Sequence, residues 1–169
     1  DKFKSSINFD GTGDYLKVGN IAESDFNFGS MDFTIKTWIY INAYQSWACV
    51  MGVGRAGGLA FPKSWVIDFE GTTGKIAFVY TTDGTNWITL RSSTIMNLNN
   101  WYHLAVCRFN NTLSIFINGN IDCTSNIGTD IIYTNTNFSF KISALGGHDT
   151  DDTVVQNHFN GYLDSIRII

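Results

Sequence analysis

The sequence predicts an all-β fold, a two-sheet antiparallel β-sandwich of the jelly-roll kind, on three observations. The composition is that of pleated sheet and turns: 19 Ile, 17 Thr, 17 Asn and 15% aromatic residues, against two Glu and one Pro. Strand-like runs recur at short intervals with turn residues between them, the mark of a sandwich or barrel. No stretch longer than one turn carries helical periodicity, although residues 22–31 have room for a short helix or 3₁₀ turn. The 169 residues read as one domain, 1–169, at roughly 100–200 residues per domain. The opening at Asp1-Lys2-Phe3-Lys4 carries no secretion signal, and with the end at Ile168-Ile169 the chain reads as a domain cut from a longer protein.

The elements follow in order. Ser6 to Asp10 alternates as a short strand, turns at Gly11-Thr12-Gly13 and resumes over Tyr15 to Val18. Phe33 to Ile41 is the clearest strand, with Phe33, Ile35, Ile39 and Ile41 on one face and Thr34, Lys36, Trp38 and Tyr40 on the other. Ser64 to Phe69 and Lys75 to Tyr80 flank Gly71-Thr72-Thr73-Gly74 as a hairpin. Asp83-Gly84 turns into Trp87 to Leu90. Trp101 to Phe109, Leu113 to Ile117 and Ile121 to Cys123 form a meander through turns at Asn110-Asn111 and Asn118-Gly119. Asn-Gly is a strong hairpin signal because both residues tolerate positive φ. Phe138 to Leu145 and Tyr162 to Ile168 complete the set, and Gly146 to Asn157 is polar and longer than a hairpin needs.

Several functions are excluded early. A net charge of −4 argues against nucleic acid, whose affinity comes from Lys and Arg on phosphates. No apolar run approaches the roughly 18 residues of a membrane span, so no membrane insertion is expected. Cys49, Cys107 and Cys123 are an odd set for a disulfide framework. Two strand spacings of about 4.8 Å hold Cys107 and Cys123 about 10 Å apart, too far to bridge. Gly52-Val53-Gly54 lacks the Gly-Lys-Ser/Thr ending of a phosphate loop.

Four segments in order resemble the laminin G-like, concanavalin A-like domain family. They are Phe9-Asp10-Gly11 through Asp14-Tyr15-Leu16 and Phe33-Thr34-Ile35 to Trp38; Trp101 to Val106; Leu113 to Gly119; and Phe159-Asn160-Gly161 to Ile168. The resemblance implies a concanavalin A-like sandwich. It does not fix a function, since that fold serves lectins, pentraxins, adhesion modules, glycan-binding appendages, and viral or phage attachment proteins.

Glycoside hydrolases similar to this fold need two carboxylates on one strand, about 5–5.5 Å apart for retention. The chain has no Glu-x-Asp-x-x-Glu run, and its Glu23 and Glu70 are far apart. Asp68 and Glu70 share a strand face and read as a solvated hairpin end. His103 is expected to pack among aromatics, and no nucleophile elbow occurs.

Asp10, Asp14 and Asp164 are a first acidic cluster; the resemblance implies that the terminal strands pair there and hold a structural calcium, with Asp10, Gly11 and Asp164 as ligands. Asp164 capping a turn or pairing with Lys17 or Arg167 is the alternative. A second acidic cluster runs from His148 through Asp149, Asp151 and Asp152, with Asn157 nearby. It is either a solvated loop or a rim calcium site that also holds a sugar hydroxyl.

Sugar recognition uses an aromatic platform with Asn, Asp or Arg for hydroxyls. Tyr44, Trp47, Trp65 and Trp87 are the candidate platforms, and His148, Asp149, Asp151 and Asn157 the polar partners. Trp38 and Trp101 match core positions of the family and are set aside. Two sequons, Asn110-Asn111-Thr112 and Asn137-Phe138-Ser139, are at the frequency expected by chance. The expectation is a non-catalytic, lectin-like glycan-binding module, assisted by calcium, at a cell or virion surface. An adhesion or attachment domain that binds a surface protein is the runner-up, and a glycan hydrolase or lyase the third reading.

Overall fold

The structure, a computed structural model, describes residues 5–18, 26–54, 64–134, 138–146, 152 and 154–169. Among these residues there are fourteen strands and no helix. In chain order they are β1 (Ile7–Asp10), β2 (Leu16–Val18), β3 (Phe33–Ile41), β4 (Cys49–Val53), β5 (Trp65–Phe69), β6 (Lys75–Tyr80) and β7 (Ile88–Ile95). Then follow β8 (Trp101–Phe109), β9 (Thr112–Ile117), β10 (Asn120–Asn126), β11 (Phe140–Ile142), β12 (Leu145–Gly146), β13 (Val155–Gln156) and β14 (Asn160–Ile168).

Two six-stranded antiparallel sheets stack as a sandwich. The first runs β1-β14-β3-β8-β9-β10 and the second β2-β11-β4-β5-β6-β7, while β12 and β13 form a separate small hairpin. Alternation builds the first sheet: in β3, Phe33, Ile35, Thr37, Ile39 and Ile41 are buried and the residues between them are half-buried. These side chains meet Trp65, Ile67, Phe69 and Phe78 of the second sheet in one apolar core. Aromatic rings fill part of it, with Phe28 stacked on Phe33 at 4.1 Å and Phe26 on Phe140 at 4.4 Å. Each fully buried ring or branched chain contributes about 1.5–3 kcal/mol.

One backbone approach leaves no room for a side chain. Gly161 of β14 pairs with both Phe9 and Ile41, and a Cβ there would lie 2.0 Å from the Tyr40 carbonyl oxygen and 2.6 Å from the Phe159 ring. The glycine in Phe159-Asn160-Gly161 is therefore a packing requirement.

β4 is a strand that sequence reading did not anticipate. All five of its residues are buried, so it shows no alternation. The second sheet is apolar on both faces at its centre: Cys49, Val66, Ala77, Val79 and Leu145 form a separate buried cluster on its outer side, with Trp87 packed against them.

Trp38 and Trp101, matched to core positions, lie instead on the outer face of the first sheet. Register sets Trp38 opposite His103 and Tyr40 opposite Trp101, alternating with the inward Ile39 and Ile41. Their rings pack on one another: Trp38 meets His103 edge-on at 5.3 Å, and Tyr40 meets Trp101 at 5.5 Å and Tyr162 at 5.7 Å. His103 thus has its aromatic neighbour on an outer face.

The three cysteines are free. Cys107 faces outward, accepting a hydrogen bond from Thr34 Oγ1 at 3.4 Å, whereas Cys123 stands opposite Ile115 and packs on the core. They are on opposite faces of the sheet. Across the open side of the sandwich, the Asp122 carboxylate of β10 accepts hydrogen bonds from Ser93 N at 2.6 Å and Thr94 N at 3.1 Å of β7.

Candidate functional site

The outer face of the second sheet carries a pocket of about 420 Å³, within the usual range of roughly 300–1,000 Å³ for ligand sites. Its floor follows from strand parity. Trp65, Ile67 and Phe69 of β5 point into the core, so Val66, Asp68 and Glu70 point out. Register extends the rows: Asp68 lies beside Cys49, then Ala77, then Arg91, and Val66 lies beside Val79, then Thr89.

Three segments raise walls around that floor. Trp47 comes from the β3–β4 connection, with φ of 59° and 49% exposure. Trp87 continues the outward series of Thr89 and Arg91. A tight turn delivers it: the Asp83 carboxylate accepts from Thr85 N at 2.7 Å, Asn86 N at 2.8 Å and Asn86 Nδ2 at 2.7 Å. The Asn86 and Thr85 hydrogen bonds hold that carboxyl far below the usual carboxylate range. The β12–β13 hairpin supplies Leu145, Gln156 and Asn157. Its return is pinned where Cys49 N donates to Asn157 O at 2.7 Å.

The electrostatics centre on Asp68. It is 8% exposed, and its Oδ1 is buried with no hydrogen-bond partner among the described residues. Burial pushes its carboxyl up to about 7; Arg91 pulls the other way and Glu70 adds to the rise. Arg91 Nε in turn is 2.9 Å from Glu70 Oε2. Burial also pushes the neighbouring Cys49 thiol well up, so it is a spectator hydrophobe rather than a nucleophile.

Of the residues named from sequence, the fold brings Trp47, Trp87 and Asn157 into this one pocket. Tyr44 is elsewhere: its hydroxyl donates to Met96 O at 2.8 Å and its ring packs on the core. Trp65 is corrected outright, being fully buried between the sheets with Nε1 donating to Phe26 O at 3.0 Å. No ring face is left for a ligand. His148, Asp149 and Asp151 lie outside the described residues.

Asp152, the last carboxylate of that acidic run, is structural. It is 6% exposed and ion-paired with Lys141, itself 1% exposed. Lys17 Nζ stands 3.2 Å from its Oδ2, and Ser139 donates to it through both its backbone N–H and its hydroxyl. Burial pushes its carboxyl up, but the Lys141 and Ser139 hydrogen bonds outweigh burial and hold it below the ordinary value.

The expected calcium ligands do not converge. Asp10 stands opposite Asn160, four residues from Asp164, a run of about 13 Å along the strand. Asp10 Oδ1 accepts from Thr12 N at 2.7 Å, Gln45 Nε2 donates to Gly11 O at 3.2 Å, and Asp164 accepts from Ser165 Oγ at 3.2 Å. Asp10, Gly11 and Asp164 thus do not fit a shared ion. Among the described residues no three His, Cys, Asp or Glu side chains gather to hold one.

Sequence reading missed Thr89, Arg91, Gln156 and the apolar floor, and took Asp68 for a solvated hairpin end. One signal was available: Trp65-x-Ile67-x-Phe69 sets the parity of β5, which sends Asp68 outward with Val66 and, across the sheet, Trp87-x-Thr89-x-Arg91.

A family model described as the concanavalin A-like lectin/glucanases superfamily matches residues 10–169. No curated protein matches the chain. Among solved structures, the CBM40 of Ruminococcus gnavus IT-sialidase bound to α2,3-sialyllactose superposes with a TM-score of 0.71 at 16% identity, over 98% of this chain and 89% of that one. Domain 4 of AbnA, a GH43 extracellular arabinanase of Geobacillus stearothermophilus in complex with arabinotriose, gives 0.65 at 17%, over 96% and 69%. A Bacteroides ovatus protein, provisionally described as carbohydrate binding, gives 0.69 at 17%; the chain spans 42% of its length.

Proposed function

The chain belongs to the concanavalin A-like lectin/glucanases superfamily, and from that premise we propose that it is a non-catalytic carbohydrate-binding module whose ligand occupies the pocket lined by Trp47 and Trp87. One observation carries this reading: two tryptophans flank an apolar floor in which a buried carboxylate oxygen, Asp68 Oδ1, has no partner among the described residues. A sugar supplies what such a site lacks. Its C–H faces cover indole rings and its hydroxyls satisfy orphaned acceptors.

The structural neighbours support binding of carbohydrate in the same fold. Catalysis is disfavoured on chemical grounds. Hydrolysis with retention needs a nucleophile and an acid from two carboxyl groups about 5–5.5 Å apart. Asp68 is the one carboxylate among the described lining residues, and Glu70 is engaged by Arg91. Attachment to a protein is also less supported: Tyr40, Trp101 and Tyr162 on the other outer face meet at 52° and 75° rather than lying as a flat patch. The setting that fits a glycan receptor is outside the cell, on a cell or virion surface.

A glycan array probed with wild type and with the Trp47→Ala/Trp87→Ala double variant tests the proposal. Binding to one or more glycans by wild type, lost by tenfold or more in the variant, is the expected result. Silence of the wild-type protein across the array overturns it.

A further inference from the structure

Resting on the carbohydrate-binding reading above, we infer that the pocket selects an uncharged sugar, one whose hydroxyl donates to Asp68 Oδ1, and rejects sugars that carry a carboxylate. The charge around the pocket is the first ground. Asp68 of β5 and Glu70, the residue after its end, share a parity, and among the described residues Arg91 on β7 is the cation set against both of them. Its Nε is already 2.9 Å from Glu70 Oε2. Two carboxylates thus face one guanidinium. Among the described residues, Lys17, Lys75 and Lys141 also stand on this side of the sheet; Lys17 and Lys141 are tied to Asp152, and none of the three lines the pocket.

An incoming carboxylate would need a free fork of donors. It would find Asp68 instead, in an apolar setting where like charges repel strongly. Protonation of Asp68 does not reverse this balance. Its carboxyl titrates near 7, and in neither form does the trio become positive.

The orphaned oxygen is the second ground. An acceptor buried without a partner is costly, and that cost is relieved by a donor. A sugar hydroxyl is such a donor and a sugar carboxylate is not. The remaining polar lining, Thr89, Gln156 and Asn157, is neutral and suits further hydroxyls. The R. gnavus module solved with α2,3-sialyllactose holds an acidic sugar on the same fold; this chain's charges point to the opposite preference.

Matched pairs separate the possibilities. Lactose against α2,3-sialyllactose, and neutral against uronic-acid-substituted xylo- and arabino-oligosaccharides, are titrated on an array and by calorimetry at pH 8. The neutral member of a bound pair is expected to bind at least about tenfold tighter than its carboxylated partner. Asp68→Asn removes the charge while keeping an acceptor; it weakens the neutral member about threefold and closes the gap to the acidic one. Asp68→Leu weakens the neutral member by about tenfold or more. Thermal melts confirm that both variants fold. Acidic members that bind as tightly as neutral ones, with binding still lost in Trp87→Ala, overturn the inference and leave the carbohydrate reading intact. If no glycan of either kind binds, that reading fails and this inference with it.

Discussion

Two buried aspartates on the same side of the second sheet have opposite environments. Asp152 is surrounded by Lys141, Lys17 and Ser139, and its carboxyl is held below its ordinary value. Asp68 is almost as buried, yet one of its oxygens has no donor among the described residues and its carboxyl rises to about 7. The first ties its own position, just ahead of β13, to Lys141 of β11 and Lys17 of β2. The second destabilises the fold around neutral pH and is retained at the bottom of a pocket. Buried polar groups left unsatisfied mark places where stability is given up for binding.

Acid and alkali should treat the two residues oppositely. The Asp152 contribution is fully present above pH 4 or so and is lost as pH falls through its depressed folded value. Asp68 has a folded value above its unfolded one. Its charging therefore costs nothing below about pH 4, costs more as pH rises, and reaches the full penalty above about pH 7.

The largest expected effect is that of Asp152→Ala. It strands the Lys141 ammonium, which is 1% exposed, at a cost of about 3–5 kcal/mol in urea unfolding at pH 7. Because the same residue anchors the hairpin that carries Gln156 and Asn157, glycan affinity should fall with it. A loss under 1 kcal/mol or so would mean that the ion pair is not a clamp. Next is Asp68→Asn, which should raise stability at pH 8 by about 2–4 kcal/mol, with the gain fading toward pH 4. Urea titrations at both pH values measure it, and a pH-independent effect would refute the charge penalty.

Smaller effects separate the two outer faces. Trp38→Ala and Trp101→Ala should lower stability by about 1–2 kcal/mol, less than the roughly 3–5 of a ring in the core, and leave glycan affinity where it was. Equal losses of affinity from these two and from Trp87→Ala would erase the distinction between the faces. Smallest of all, EDTA followed by calcium should not move the melting temperature through Asp10 or Asp164. A calcium-dependent rise abolished by Asp164→Ala would contradict the separation seen along β14.

Much of the architecture was legible in the chain, and particular residues show why the rest was not. β3 was readable to its ends because it alternates strictly. The same alternation put Trp38 outside with Tyr40, and the structure agrees; only the likeness to a family assigned it to the core. β4 was invisible because burial on both faces removes the period of two. Trp47, Trp87 and Asn157 could be named one by one, but their meeting depends on which strands neighbour β5, and that order is a long-range fact. Trp65 was misjudged because the neighbouring Ile67 and Phe69 were not used to set its direction. Asp68 looked like a solvated hairpin end, and Arg91 carried no signal of its own, until register placed them in one row with Ala77.

The Asp122 bridge has a consequence beyond joining the two sheets. β7 is an edge strand of eight residues, long enough to offer its free amides to a neighbouring molecule. Two of those amides, at Ser93 and Thr94, are occupied by a side chain of the same chain. The opposite margin of that sheet, β2, is three residues long. Many copies displayed close together would therefore have little, along the sheet that carries the pocket, with which to zip into one another.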